Sequence, residues 1–87
     1  GNQATPIIKE ANMQVWGKTM ADSSLAIGIF NLGDKETDYK LDLEKLDLKG
    51  EQEIRNLWKQ ENLGTFAGTF KTRVPAHGVK LLKIKTK

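Results

Sequence analysis

Apolar residues concentrate in one stretch, Leu25-Ala-Ile-Gly-Ile-Phe-Asn-Leu-Gly-Asp34, which runs almost unbroken until it stops at a Gly-Asp turn. Leu25, Ala26, Ile27, Ile29, Phe30 and Leu32 are apolar in both alternating sets, as in a strand covered on both faces. A buried helix is also apolar all round, but this run is short, carries Gly28 at its middle and is flanked by turn residues, so it predicts a central strand. Two apolar faces need two covers, one from a facing sheet and one from a neighbouring surface that this chain lacks. In that case Ala26, Gly28 and Phe30, or the opposite set, will lie on a face more exposed than an independent module tolerates. Full burial of both sets would indicate a self-sufficient unit.

Ahead of the run, residues 1–12 hold Pro6, Ile7 and Ile8 with no regular period and read as an irregular lead-in. Met13 to Thr19 alternates, with Met13, Val15 and Gly17 on one side of a strand and Gln14, Trp16 and Lys18 on the other. Ala21-Asp22-Ser23-Ser24 then turns the chain into the central run as a hairpin. Beyond the turn at Asn31 to Lys35, Tyr39, Leu41 and Leu43 alternate with Asp38, Lys40, Asp42 and Glu44, the signature of a half-buried antiparallel strand. The spacing slips at Leu46 and Leu48, where strand plus turn is favoured over a helix through Leu41, Glu44, Lys45 and Leu48, and Gly50 closes the segment. Glu51 to Trp58 reads as a strand whose Ile54 and Trp58 differ in parity from Leu57, which hints at a bulge or a two-faced strand. Asn62-Leu-Gly64 reads as a turn, followed by one strand on which Phe66, Gly68, Phe70, Thr72 and Val74 share a face. Pro75-Ala-His-Gly78 ends that strand, since Pro75 lacks an N–H and Gly78 is free to adopt a left-handed conformation. In the last strand, Val79 to Lys85, Val79 and Leu81 have one parity and Leu82 and Ile84 the other. Strands recurring about every ten residues with no long helical pattern predict an all-β fold: an antiparallel β-sandwich with Greek-key type connections and six to eight strands over residues 13–87.

Composition narrows the functional classes. A chain of 87 residues makes one small domain. Its 14 Lys and Arg exceed its 11 Asp and Glu, for a net charge of +3, but the signs are interspersed, which argues against a nucleic-acid partner. Lys80, Lys83, Lys85 and Lys87 alternate along the final strand and read as guards of a sheet edge. The absence of cysteine excludes disulfides and thiolate metal sites. No apolar stretch approaches the roughly 18 residues of a membrane span, so no membrane partner is expected.

Candidate chemistry is sparse. His77 is the only histidine, too few for a histidine metal centre, and Ser23 and Ser24 sit in a polar turn with nothing to bring them to it. His77 therefore reads as a turn residue whose ring satisfies nearby backbone groups. Asp42 and Glu44, on one face of a strand, form the kind of carboxylate pair that glycoside hydrolysis requires, but their lysine neighbours mark a wet surface that cannot raise a pKa. The glycines at 28, 33, 50, 64, 68 and 78 never form a phosphate loop ahead of a helix. No catalytic residue, metal or cofactor is expected. Among the aromatics, Trp58, Phe66 and Phe70 read first as core or domain-interface residues, whereas Trp16 lies between polar Gln14 and Lys18. Trp16 and Trp58 are the candidate carbohydrate-binding residues, because a sugar's apolar face stacks on an exposed ring.

Taken together, Ala26-Ile-Gly-Ile-Phe-Asn-Leu-Gly-Asp34, Leu41-Asp-Leu43, Asn56-Leu-Trp58, Leu63-Gly-Thr-Phe66, and Val74-Pro-Ala-His-Gly-Val79 with Leu81-Leu82 resemble the C-terminal β-sandwich domain of melibiase-type α-galactosidases, glycoside hydrolase family 27. Asn2-Gln3-Ala-Thr-Pro6 resembles the element with which that family leaves its catalytic barrel, and Met13-Gln-Val-Trp-Gly17 resembles the first strand of the appended domain. The chain departs from the family pattern at Ala4-Thr5-Pro6, where Asp-Pro is usual, and at Asp22-Ser23-Ser24, where Asp-Gly is usual. The resemblance implies a non-catalytic accessory domain. In the family, hydrolysis is done by two aspartates on a (β/α)8 barrel of roughly 250 residues, which 87 residues cannot hold. The implied partner is that barrel, and the implied setting is secreted or periplasmic ahead of cytoplasmic. A free-standing carbohydrate-binding module and a domain that dimerises through its apolar outer face are the alternatives from other classes.

Overall fold

A computed structural model describes residues 4–87, which form eight strands and one short 3-10 helix. The strands are β1 (Thr5–Glu10), β2 (Met13–Thr19), β3 (Leu25–Asn31), β4 (Thr37–Asp42), β5 (Glu51–Asn56), β6 (Glu61–Ala67), β7 (Thr69–Val74) and β8 (Val79–Thr86), and the helix is Leu43–Leu46. Six strands make one antiparallel sheet in the order β1-β2-β3-β8-β5-β6, while β4 and β7 pair as a second, two-stranded sheet. The fold is thus the expected antiparallel sandwich. The chain leaves the large sheet after β3, returns at β5, leaves again after β6, and comes back as β8 between β3 and β5, a Greek-key type path.

The core lies between the sheets. Alternation on the large sheet turns Val15, Ile27, Ile29, Ile54, Leu82 and Ile84 inward, and the small sheet answers with Tyr39, Leu41, Phe70 and Val74. Each aliphatic side chain fully buried here is worth about 1.5 to 3 kcal/mol, so this face holds the fold together. Asn31 ends β3 as a buried polar residue: its amide donates to the carbonyls of Lys35 at 2.8 Å and Val74 at 3.1 Å, and its Oδ1 accepts from Gly33 N at 2.9 Å. It thereby ties the β3–β4 loop to the end of β7.

Several sequence expectations are corrected. The lead-in is not irregular from Thr5 onward: Thr5–Glu10 is an edge strand against β2, with a register shift between Pro6 and Ile8. That bulge places Ile7 and Ile8 side by side and erases the period of two, and an edge is where a strand tolerates proline. Asn2 and Gln3 of the family resemblance lie outside the described residues. Leu43–Leu46 is a 3-10 helix rather than strand and turn, capped by Asp42, whose side chain accepts from Glu44 N at 3.0 Å. The turn expected at Asn62 to Gly64 occurs at residues 57–60, while Gly64, at φ +113°, lies within β6 beside the shift between Ile54 and Arg55. The extra residue is Leu63 on β6, so the bulge hinted in Glu51 to Trp58 is not in that strand: β5 ends at Asn56, and Leu57 and Trp58 break its parity because they belong to the turn. The single strand expected from Phe66 to Val74 is two strands in different sheets, divided at Gly68, whose φ is +81°. Phe66 and Phe70 meet edge to face across that corner, ring centroids 4.8 Å apart. In the turn before β8 it is His77, at φ +55°, and not Gly78, that is left-handed. Gly78 is required there because a Cβ would meet Pro75 Cγ at 2.6 Å. The alternating lysines guard no edge, since β8 is a central strand.

Candidate functional site

The two outer faces of the sandwich differ in kind. On the small sheet, Asp38, Lys40, Lys71 and Arg73 face outward, and Arg73 Nε donates to Asp38 Oδ1 at 2.8 Å, holding that carboxyl below its usual range. This is an ordinary wet face. On the large sheet the register lines up three rows across β2, β3 and β8: Gln14, Phe30 and Val79; Trp16, Gly28 and Leu81; Lys18, Ala26 and Lys83. The middle row forms a groove because Gly28 has no side chain between the indole and the leucine. Phe30 folds its ring over the glycine, so that a Cβ at position 28 would stand 2.9 Å from Phe30 Cε1.

The groove has a volume of about 420 Å³ and is lined also by Leu57, Lys18 and Ala4. Leu57 is fixed in place by its backbone N–H, which donates to Leu81 O at 2.9 Å. Ala26 and Phe30 are half-exposed. Gly28, under the Phe30 ring, is buried, so the second face of the central run is partly covered among the described residues, not left open as the expectation of two covers had it. The lining is almost wholly apolar. Trp16 Nε1, which would serve a ligand hydroxyl, is already engaged with Gln14 Oε1 at 3.0 Å. A sugar ring in this groove would find one lysine for its hydroxyls, whereas an apolar protein surface would match it throughout.

Trp58 stands elsewhere than its strand reading implied. It sits in the turn after β5, with 79 % of its surface exposed, so it belongs to no core. With Asn56, Lys59, Val79, Lys80 and Leu81 it lines a cleft of about 220 Å³. The cleft and the groove share Leu81, which puts the two tryptophans of the sequence reading on one composite surface. Phe70 is core, as expected, and Phe66 packs against the core from its margin. Sequence reasoning picked out Ala26, Gly28 and Phe30 as a set but missed Leu57 as a lining residue. The signal for Leu81 was the adjacent pair Leu81-Leu82, apolar on both parities of one strand.

The remaining candidates do not assemble into chemistry. His77 Nε2 lies 2.9 Å from Asp34 Oδ1 at the tip of the β3–β4 loop, so its partner is a carboxylate and not the backbone group expected for its ring. Asp42 and Glu44 do not share a strand face, because Asp42 ends β4 and Glu44 is in the 3-10 helix. Among the described residues, no three His, Cys, Asp or Glu side chains come together as metal ligands do.

Comparison with known proteins then places the chain. The profile of the alpha galactosidase C-terminal beta sandwich domain family matches residues 10–84. A probable alpha-galactosidase from Dictyostelium discoideum is 31% identical over 75 residues, covering 82% of this chain and 20% of the relative. Alpha-galactosidase I from Mortierella vinacea superposes with a TM-score of 0.88 at 28% identity, over 97% of this chain and 23% of that one. A β-L-arabinopyranosidase from Geobacillus stearothermophilus superposes with a TM-score of 0.91 at 22% identity, over 98% of this chain and 20% of that one. The chain thus spans about a fifth of the length of the curated relative.

Proposed function

The chain belongs to the alpha galactosidase C-terminal β-sandwich domain family, and from that membership we propose that it is the non-catalytic accessory domain of an α-galactosidase-like glycoside hydrolase, docking by its groove face onto the catalytic part. The family resemblance read in the sequence agrees with this membership. The observation that carries the proposal is the partly covered apolar groove formed by Trp16, Gly28, Phe30, Leu57 and Leu81, in a domain whose relatives are some three to five times longer. Ala4 lines this same groove just ahead of β1, so a polypeptide entering from the N-terminal side arrives at the border of the face it would cover. Covering Trp58 as well would contribute about 3 to 4 kcal/mol, at about 25 cal/mol per Å² over most of an indole surface. The catalytic partner meant here is the (β/α)8 barrel that the family resemblance implies.

The natural polypeptide carrying this chain, the same polypeptide lacking residues 4–87, and the 87-residue chain alone test the reading with a chromogenic α-galactoside. The expected result is hydrolysis by the whole polypeptide, none by the 87 residues, and an earlier thermal inactivation of the truncated form. Hydrolysis by the 87-residue chain would contradict it, as would a truncated form that inactivates at the same temperature as the whole.

A further inference from the structure

Beside the groove, the third row of the large sheet continues from Lys18, Ala26 and Lys83 to Arg55, which is the register partner of Lys83 on β5. Like charges directly opposite on adjacent strands destabilise a sheet. One carboxylate answers this row from within the chain: Asp22, in the β2–β3 turn, lies 2.9 Å from Lys83 Nζ. Arg55 spends a guanidinium N–H on Gln60 O at 3.1 Å, a neutral acceptor. Among the described residues, neither Lys18 nor Arg55 forms an ion pair. On the other flank of the groove, Lys59 lines the Trp58 cleft, again without a carboxylate beside it in the lining; Lys80 reaches the cleft from the opposite parity of β8, as the register partner of Ile29. Glu53, one row further on, stands opposite Lys85. The opposite sheet sets Asp38 and Glu36 against Arg73, and also places Lys40 directly across from Lys71. The linings of the groove and the adjoining cleft thus hold cations and no carboxylate.

We infer that the surface covering the groove is acid-rimmed: the docking partner presents carboxylates to Lys18 and Arg55 on one side of an apolar ridge and to Lys59 on the other. This deepens the docking reading and rests on it. Apolar contact supplies the affinity, and the charged rim fixes orientation and excludes wrong partners.

The inference predicts effects of opposite sign in two contexts. In the isolated 87-residue chain, Arg55→Glu gives Lys83 an opposite charge across the strands and leaves the melting temperature unchanged or raised. In the natural polypeptide, Lys18→Glu and Arg55→Glu each lower the melting temperature by about 2 to 4 °C at low salt. That shift shrinks at 1 M salt, where the Debye length falls to about 3 Å. Lys40→Glu and Lys71→Glu, on the far sheet, are the controls and move it less in the natural polypeptide. Shifts of Arg55→Glu with the same sign in both contexts, or reversals at Lys18 and Arg55 no larger than the controls, would overturn the acidic rim. Phe30→Ser separates the two readings. If it leaves the transition of the natural polypeptide in place, docking by this face fails; if it lowers that transition while the charge reversals do nothing, only the rim fails.

Discussion

At the scale of single residues, the groove depends on Gly28 and its stability on groups the sequence does not advertise. Asp22 is one of them. The Ser24 hydroxyl, the Lys83 ammonium and the Ser24 backbone N–H all hydrogen-bond its carboxylate and hold it well below the usual carboxylate range. A carboxyl depressed in the folded state contributes stability that is present above its unfolded pKa, about 4, and is lost as pH falls through the folded value. Asp22→Asn is therefore expected to lower the urea midpoint of the 87-residue chain at pH 7 and to flatten its decline below pH 4; a decline of unchanged steepness would refute this. The sequence shows Asp22-Ser23-Ser24 as a turn, which it is, but not that the turn reaches β8, because Lys83 is some sixty positions away and only the register of β3 with β8 brings it near. Trp58 shows the same limit. Its parity with Ile54 argued for a strand, yet the pairing of β5 ends at Asn56 and leaves the indole in water.

At the scale of elements, the alternation in Met13 to Thr19 and Tyr39 to Leu41 was legible because each strand has one face on the core. What alternation cannot show is where a chain changes sheets. Phe66, Gly68, Phe70, Thr72 and Val74 have the parity of one strand, and only the left-handed backbone of Gly68 separates β6 from β7. Nothing lies within 4 Å of a Cβ built there, so the cost of a side chain is backbone strain alone. Gly68→Ala is accordingly expected to destabilise the 87-residue chain by about 1 to 2 kcal/mol, read from urea unfolding with an unchanged m-value. A neutral substitution would mean that the sheet switch does not depend on this conformation. The lead-in failed for a related reason: a bulge between Pro6 and Ile8 hides an edge strand from any test of period two.

At the scale of the whole molecule, the apolar content of both parities in Leu25 to Asp34 was the feature that mattered most. It said that β3 needs two covers; the fold supplies one in full and the second only in part, burying Gly28 under Phe30 and leaving Ala26 and Phe30 half-buried beside Trp16 and Leu81. Trp16 was legible as a ring among polar neighbours and Trp58 only as a core or domain-interface residue, and their union through Leu81 was not legible, because it joins a turn after β5 to the middle of β2 across the central strands. The central claim is that this composite face is covered by the catalytic part of a larger enzyme. Hydroxyl-radical footprinting tests it most directly, since trypsin releases Asn56 to Lys59 as a short peptide carrying Trp58 alone and Glu36 to Lys40 as one carrying the buried Tyr39. The account predicts strong oxidation of Trp58 in the 87-residue chain, at least tenfold less in the natural polypeptide, and no change at Tyr39. Equal oxidation of Trp58 in both would contradict it.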